Sequence, residues 1–117
     1  MTAPVTIEPT QLPATIRAYL AASAAREAEA AVRTFTADAV VTDDGRTHRG
    51  TEEVLEFLRH GGGPFTWTSR LVGAERADET HWVAVNRIEG DFPGGVVELR
   101  YRFTLVDDLI AELAIAP

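Results

Sequence analysis

The chain has 117 residues, 45% of them hydrophobic, with a formal charge of −7 and no cysteine. That length holds one core and not two, and the composition is that of a globular chain rather than a disordered one. The negative balance and the lack of any basic cluster exclude phosphate backbones as natural partners, so no nucleic acid is expected.

Without cysteine there is no disulfide framework and no thiolate metal site, which makes the cytoplasm the expected compartment. All 11 basic residues are Arg, so lysine Schiff-base chemistry is excluded. No apolar run approaches the roughly 18 residues of a membrane span, and no membrane partner is expected. The opening Met1-Thr2-Ala3-Pro4-Val5 lacks the basic start and apolar block of a signal peptide. One domain over residues 1–117 is expected, with residues 1–9, which hold two prolines and no periodicity, as a loose leader.

Thr10 is expected to cap a helix with Pro13 in its first turn. Leu12, Ile16, Tyr19, Leu20, Ala24, Ala28, Val32 and Phe35 then recur at three- and four-residue steps, opposite Arg17, Arg26, Glu27 and Arg33. The stripe is long for a small domain, and a break near Arg26-Glu27 into a long and a short helix is expected, although neither Gly nor Pro marks it. Ala39-Val40-Val41-Thr42 reads as a short strand ending in the turn Asp43-Asp44-Gly45, with residues 46–49 pairing back. Gly50-Thr51-Glu52-Glu53 opens another helix, capped by Thr51, with two acids near the positive end of its dipole. Val54, Leu55 and Leu58 face inward there, and Gly61 ends it.

Residues 65–76, 80–89, 96–106 and 109–115 alternate in polarity and are rich in Val, Thr, Trp, Phe and Ile, as four antiparallel strands would be. On the third, Val97, Leu99, Tyr101, Phe103 and Leu105 share one face and Glu98, Arg100, Arg102 and Thr104 the other. The fold expected is α+β: N-terminal helices on the concave face of a curved, mainly antiparallel sheet, enclosing one pocket.

This order resembles the cone-shaped nuclear transport factor 2-like superfamily over residues 10–116. Phe35-Thr36-Ala37-Asp38-Ala39-Val40-Val41-Thr42-Asp43 looks like its "aromatic, then Ala-Asp-Ala, then strand" entry, and His48-Arg49-Gly50-Thr51-Glu52-Glu53-Val54 like its "Arg-Gly, then helix" continuation. Phe92-Pro93-Gly94-Gly95 and Leu99-Arg100-Tyr101-Arg102-Phe103-Thr104-Leu105 look like the hairpin and strand of its SnoaL-like branch. These signatures carry architecture more than activity, since the fold hosts isomerases, cyclases, dehydratases, epoxide hydrolases and binders.

The resemblance to ketosteroid isomerase places Asp43 at the general-base position and Tyr19 at the oxyanion tyrosine. Tyr101 falls near the family's protonated Asp, a departure that a second phenol could fill. An Asp in an apolar pocket has a raised pKa and can move a proton beside a carbonyl while a phenol stabilises the enolate oxygen. The alternatives are plain: Asp43 as a turn residue, and Tyr19 and Tyr101 as packing aromatics. His48, five residues past Asp43, is either its partner in a base dyad or an exposed edge histidine. Asn86, if inward, needs a partner that a ligand could provide. Trp67 and Trp82 line the cavity or belong to the core, and Phe57 joins them as a ligand-contacting aromatic or a plug.

Other motifs carry less. His60-Gly61-Gly62-Gly63 imitates an esterase oxyanion loop, but neither Ser23 nor Ser69 sits in a nucleophile elbow. His48, His60 and His81 lack metal-ligand spacing, Asp43-Asp44 lacks the pattern of a calcium loop, and no metal or cofactor is expected. The leading functional expectation is an isomerase or cyclase working by proton transfer on an apolar carbonyl compound. A non-enzymatic binder of an apolar small molecule and an epoxide hydrolase using Arg87 and Asp91 are the alternatives. The outer sheet face, with Arg70, Arg87, Glu89, Glu98, Arg100 and Arg102, is expected to pair two copies into a homodimer.

Overall fold

The computed structural model describes residues 3–60 and 65–117. Three α-helices, α1 (Ala14–Ala24), α2 (Ala28–Val32) and α3 (Gly50–His60), lie with a seven-stranded sheet. The strands are β1 (Val5–Ile7), β2 (Phe35–Asp43), β3 (Arg46–Arg49), β4 (Trp67–Arg76), β5 (His81–Gly90), β6 (Val96–Val106) and β7 (Leu109–Ala116), ordered β1-β4-β5-β6-β7-β2-β3. Every pairing is antiparallel except β2 with β7. No helix among the described residues is long and apolar enough to cross a membrane.

Residues 5–7 correct the expectation of a loose leader. Val-Thr-Ile is a β-branched triplet, and it covers the free edge of β4 in the register Val5↔Arg76 to Ile7↔Ala74. Thr10 does not cap α1 either. Pro9–Gln11 forms a 3₁₀ turn of its own, closed by reciprocal hydrogen bonds between Glu8 and Gln11, and Pro13 stands at the helix boundary. In α3, helical structure begins at Gly50, ahead of the expected Thr51 cap, and the Glu53 carboxylate accepts the Arg49 backbone N–H at 2.9 Å. The proposed stop at Gly61 lies outside the described residues.

The break between α1 and α2 does fall at Arg26-Glu27. Glu27 N donates to Ala22 O at 2.8 Å and Arg26 N to Ser23 O at 3.1 Å, with Arg26 in the left-handed region at φ 60°. This is the Schellman pattern with arginine where glycine is usual. β2 is nine residues long rather than four, because an irregularity in its pairing with β7 lets the strand pass through Thr36-Ala37-Asp38.

The core lies between helices and sheet. Leu12 and Ile16 sit with Val41, Val54, Phe103, Ile110 and Leu113 at 2% exposure or less. Inward and outward residues alternate along β6 as the sequence pattern requires. One transverse row fixes the inner face: Ile7, Ala74, Ala84, Tyr101, Ile115 and Asp43 are successive register partners across β1, β4, β5, β6, β7 and β2.

Candidate functional site

A cavity of about 700 Å³ opens between the helices and the inner sheet face. Its walls combine Tyr19 and Ser23 of α1, Ala28 and Ala31 of α2, Phe57 and Leu58 of α3, and Ile88, Val97, Leu99, Tyr101 and Ile115 of the sheet. Asp43 lines it from the end of β2. That volume falls in the range of small-molecule sites, which are mostly apolar with a few placed polar groups.

Asp43 owes its position to the β2–β3 hairpin. Asp43 pairs with Arg46, so the connecting loop is the two residues Asp44 and Gly45, both at positive φ (52° and 75°). Such a loop matches the twist of the flanking strands and favours Asp-Gly. The turn is therefore made by Asp44-Gly45, and Asp43 remains a strand residue whose side chain shares the inner face with Ile115 and Tyr101. Burial pushes the Asp43 carboxyl above its ordinary value and the neighbouring Asp44 adds to this, while His48 opposes it.

Tyr19 and Tyr101 are the only tyrosines of the chain, and both line the cavity. Tyr19 is held edge-on against Phe35 and Phe103, with ring centroids 5.5 and 5.6 Å away. Tyr101 stacks on Phe103 at 6.5 Å. Burial raises both phenol pKa values, that of Tyr101 to about 12, and Asp43 raises both further. Ser23, one turn along α1, partly offsets the rise at Tyr19. Both phenols thus stay protonated at neutral pH and can donate a hydrogen bond to developing negative charge.

The mouth carries groups that sequence reasoning missed. Arg59 of α3 donates to Glu29 of α2 at 2.6 Å, an exposed bridge between residues 30 positions apart. Arg26 lies over the Trp67 ring, 4.8 Å from its centroid, and Nη2 donates to the Trp67 carbonyl. Gly90 lets Trp67 approach, since a Cβ there would stand 2.8 Å from the Trp67 Cβ and 2.4 Å from Thr66 O. Phe65 and Phe92 pair edge to face at 6.3 Å on the lip. Aromatics next to prolines in the sequence, Phe65 after Pro64 and Phe92 before Pro93, were the one signal available for that lip.

Five of the eight candidate residues thus share the cavity: Asp43, Tyr19, Tyr101, Phe57 and Trp67. His48 makes no hydrogen bond to Asp43, although it lies near enough to lower the Asp43 pKa; it pairs with Val41 near the sheet edge and its ring lies against Phe57 at 4.9 Å. Trp82 lies outside the cavity, opposite Phe103, with Arg76 over its ring at 5.1 Å. Asn86 is buried, but it borders a separate groove on the other side of α1. The epoxide-hydrolase arrangement does not assemble. Arg87 is on the outer face in an ion pair with Glu89 at 2.8 Å, and the Asp91 carboxylate accepts Thr66 N–H.

The SnoaL-like domain family matches residues 16–113. No curated protein matches the chain. Among solved structures, a candidate polyketide cyclase from Sinorhizobium meliloti is 28% identical, with a TM-score of 0.86 over 94% of this chain and 100% of that one. A protein of ketosteroid isomerase-like fold from Catenulispora acidiphila, in complex with trimethylamine, is 19% identical with a TM-score of 0.78, covering 90% of this chain and 85% of that one. A candidate ketosteroid isomerase from Kribbella flavida is 16% identical with a TM-score of 0.71, covering 91% and 76%. The chain belongs to the SnoaL-like domain family, on the cone-shaped fold shared with ketosteroid isomerase-like proteins.

Proposed function

We propose that this SnoaL-like chain is an isomerase or cyclase that moves a proton on an apolar carbonyl compound. The observation carrying this reading is the convergence of Asp43, Tyr19 and Tyr101 on one otherwise largely apolar cavity. Asp43 is the general base: ionised, it takes a proton from the carbon next to the carbonyl and returns it at another carbon, or the carbanion adds to a second carbonyl of the same molecule and the resulting alkoxide takes the proton back from Asp43. Its raised pKa narrows the gap to the carbon acid. Tyr101 and Tyr19 donate hydrogen bonds to the oxygen on which negative charge gathers. Phe57, Trp67 and Leu99 exclude water and hold the hydrocarbon body.

The test is a turnover screen of steroid and polyketide-like ketones with wild type and Asp43→Asn. A general base contributes about 10²–10⁴-fold, so the variant should lose at least a hundredfold in kcat on any substrate found. An unchanged rate rules the mechanism out.

A second reading, a non-catalytic binder of an apolar metabolite, draws on one observation: Tyr19 is 2% exposed and clamped between two aromatic rings, as a packing residue would be. An apolar ligand that co-purifies tightly and is never converted, seen by native mass spectrometry, favours it.

A further inference from the structure

Helix α1 has two cavity-facing sides. Tyr19 and Ser23 look into the main cavity, whereas Arg17, Leu20 and Ala24 border a second groove of about 340 Å³, floored by Ser69 and Leu71 of β4 and Asn86 of β5. The spacing of 17, 20 and 24 puts these residues on one helical face. The groove is separate from the site assigned above, and no residue lines both.

Its floor holds an unusual group. Asn86 is the only asparagine in the chain and is 3% exposed. Its amide has no protein hydrogen-bond partner among the described residues, yet it is not sealed in the way that Thr36 Oγ1 and Trp82 Nε1 are. It borders the groove. A nearly buried amide without a protein partner favours a ligand that supplies one. Ser69, beside it on the inner face of β4, adds a hydroxyl. Arg17 is the single charged residue of the groove, and its Nε donates to Leu12 O at 3.0 Å, which leaves its two terminal nitrogens without a protein partner among the described residues.

We propose that this groove is a second binding site, for a small carboxylic acid with an apolar body. The Asn86 amide and Ser69 hydroxyl supply hydrogen bonds at the floor, Arg17 supplies the positive charge at the rim, and Leu20, Ala24 and Leu71 cover the hydrocarbon. A cation has no counter-charge here, and a wholly apolar ligand would leave the Asn86 amide unpaired.

The probes are hexanoate and hexanamide, read by ¹⁵N NMR on the intact chain. With one Asn and one Gln (Gln11) in the sequence, the side-chain amide region holds two NH₂ pairs. Hexanoate should shift the Asn86 pair saturably and bind at least tenfold more tightly than hexanamide. Arg17→Gln, an exposed substitution, should weaken hexanoate at least tenfold, and Ala24→Leu, which fills the groove, should abolish the shift. The absence of a saturable Asn86 shift, equal binding of hexanamide, or unchanged affinity in Arg17→Gln each overturns the proposal.

Discussion

Asp43 is held where a carboxylate is least comfortable: half-buried, beside Asp44, and facing two phenols that cannot neutralise it. Its folded-state pKa lies above the ordinary 3.8, so the folded protein binds this proton more tightly than the unfolded chain. Ionised Asp43 therefore opposes folding, fully so above the raised pKa, and the opposition fades as pH falls through it. Asp43→Asn should raise Tm at pH 7, with a gain that shrinks on acidification; a gain independent of pH would contradict the burial argument. The sequence placed Asp43 at the head of a turn and left its role open between turn chemistry and catalysis. The deciding fact is a register, Asp43↔Arg46, that makes Asp44 and Gly45 the loop. A two-residue Asp-Gly loop carries that information in principle, since it leaves the preceding aspartate in the strand.

At the level of elements, the α1–α2 break was legible from the excess length of the apolar stripe, while its chemistry was not. Left-handed backbone costs an L-residue about 1–2 kcal/mol, and glycine normally takes the position. Arg26 occupies it because the same conformation carries its guanidinium over Trp67 and onto the Trp67 carbonyl, a contact 41 residues away in sequence. Cation–π stacking at an exposed site contributes about 0.5–1 kcal/mol, enough to offset much of the strain. Arg26→Gly should thus be close to wild type in stability and Arg26→Ala about 1 kcal/mol below Arg26→Gly, measured by thermal unfolding. Equal stability of the Gly and Ala variants would contradict the strain at this position. The short β1 was hidden for a different reason. Three residues give no periodicity, and their strand character comes from an edge on β4 that only the folded sheet provides.

On the scale of the molecule, alternating polarity was enough to read the sheet, because each strand has one buried face. Which inward residues meet in the cavity was not readable from that alternation. The inward face of β5, left open for Asn86 by the sequence, does carry it, yet α1 divides the interior, so Asn86 borders one groove and the tyrosines another. The outer face offers a proposal of its own. Arg100 pairs with Glu75 at 2.8 Å and Arg87 with Glu89, while Val72 stays 43% exposed among them. Such a mixed surface can complement itself about a two-fold axis, and we expect a homodimer through it. Light scattering at micromolar concentration should give twice the chain mass, and Val72→Arg should reduce it to one; a monomeric wild type contradicts this pairing.

The central claim is that Asp43 moves a proton within this cavity. Its most direct measurement is solvent deuterium exchange into the position next to the carbonyl of a ketone that binds, followed by proton NMR in D₂O. Wild-type protein should accelerate the exchange, with an acid limb whose midpoint lies above the ordinary carboxylate pKa of 3.8, and Asp43→Asn should reduce it at least a hundredfold while still binding the ketone. Equal exchange by the folded variant and the wild type would contradict the account.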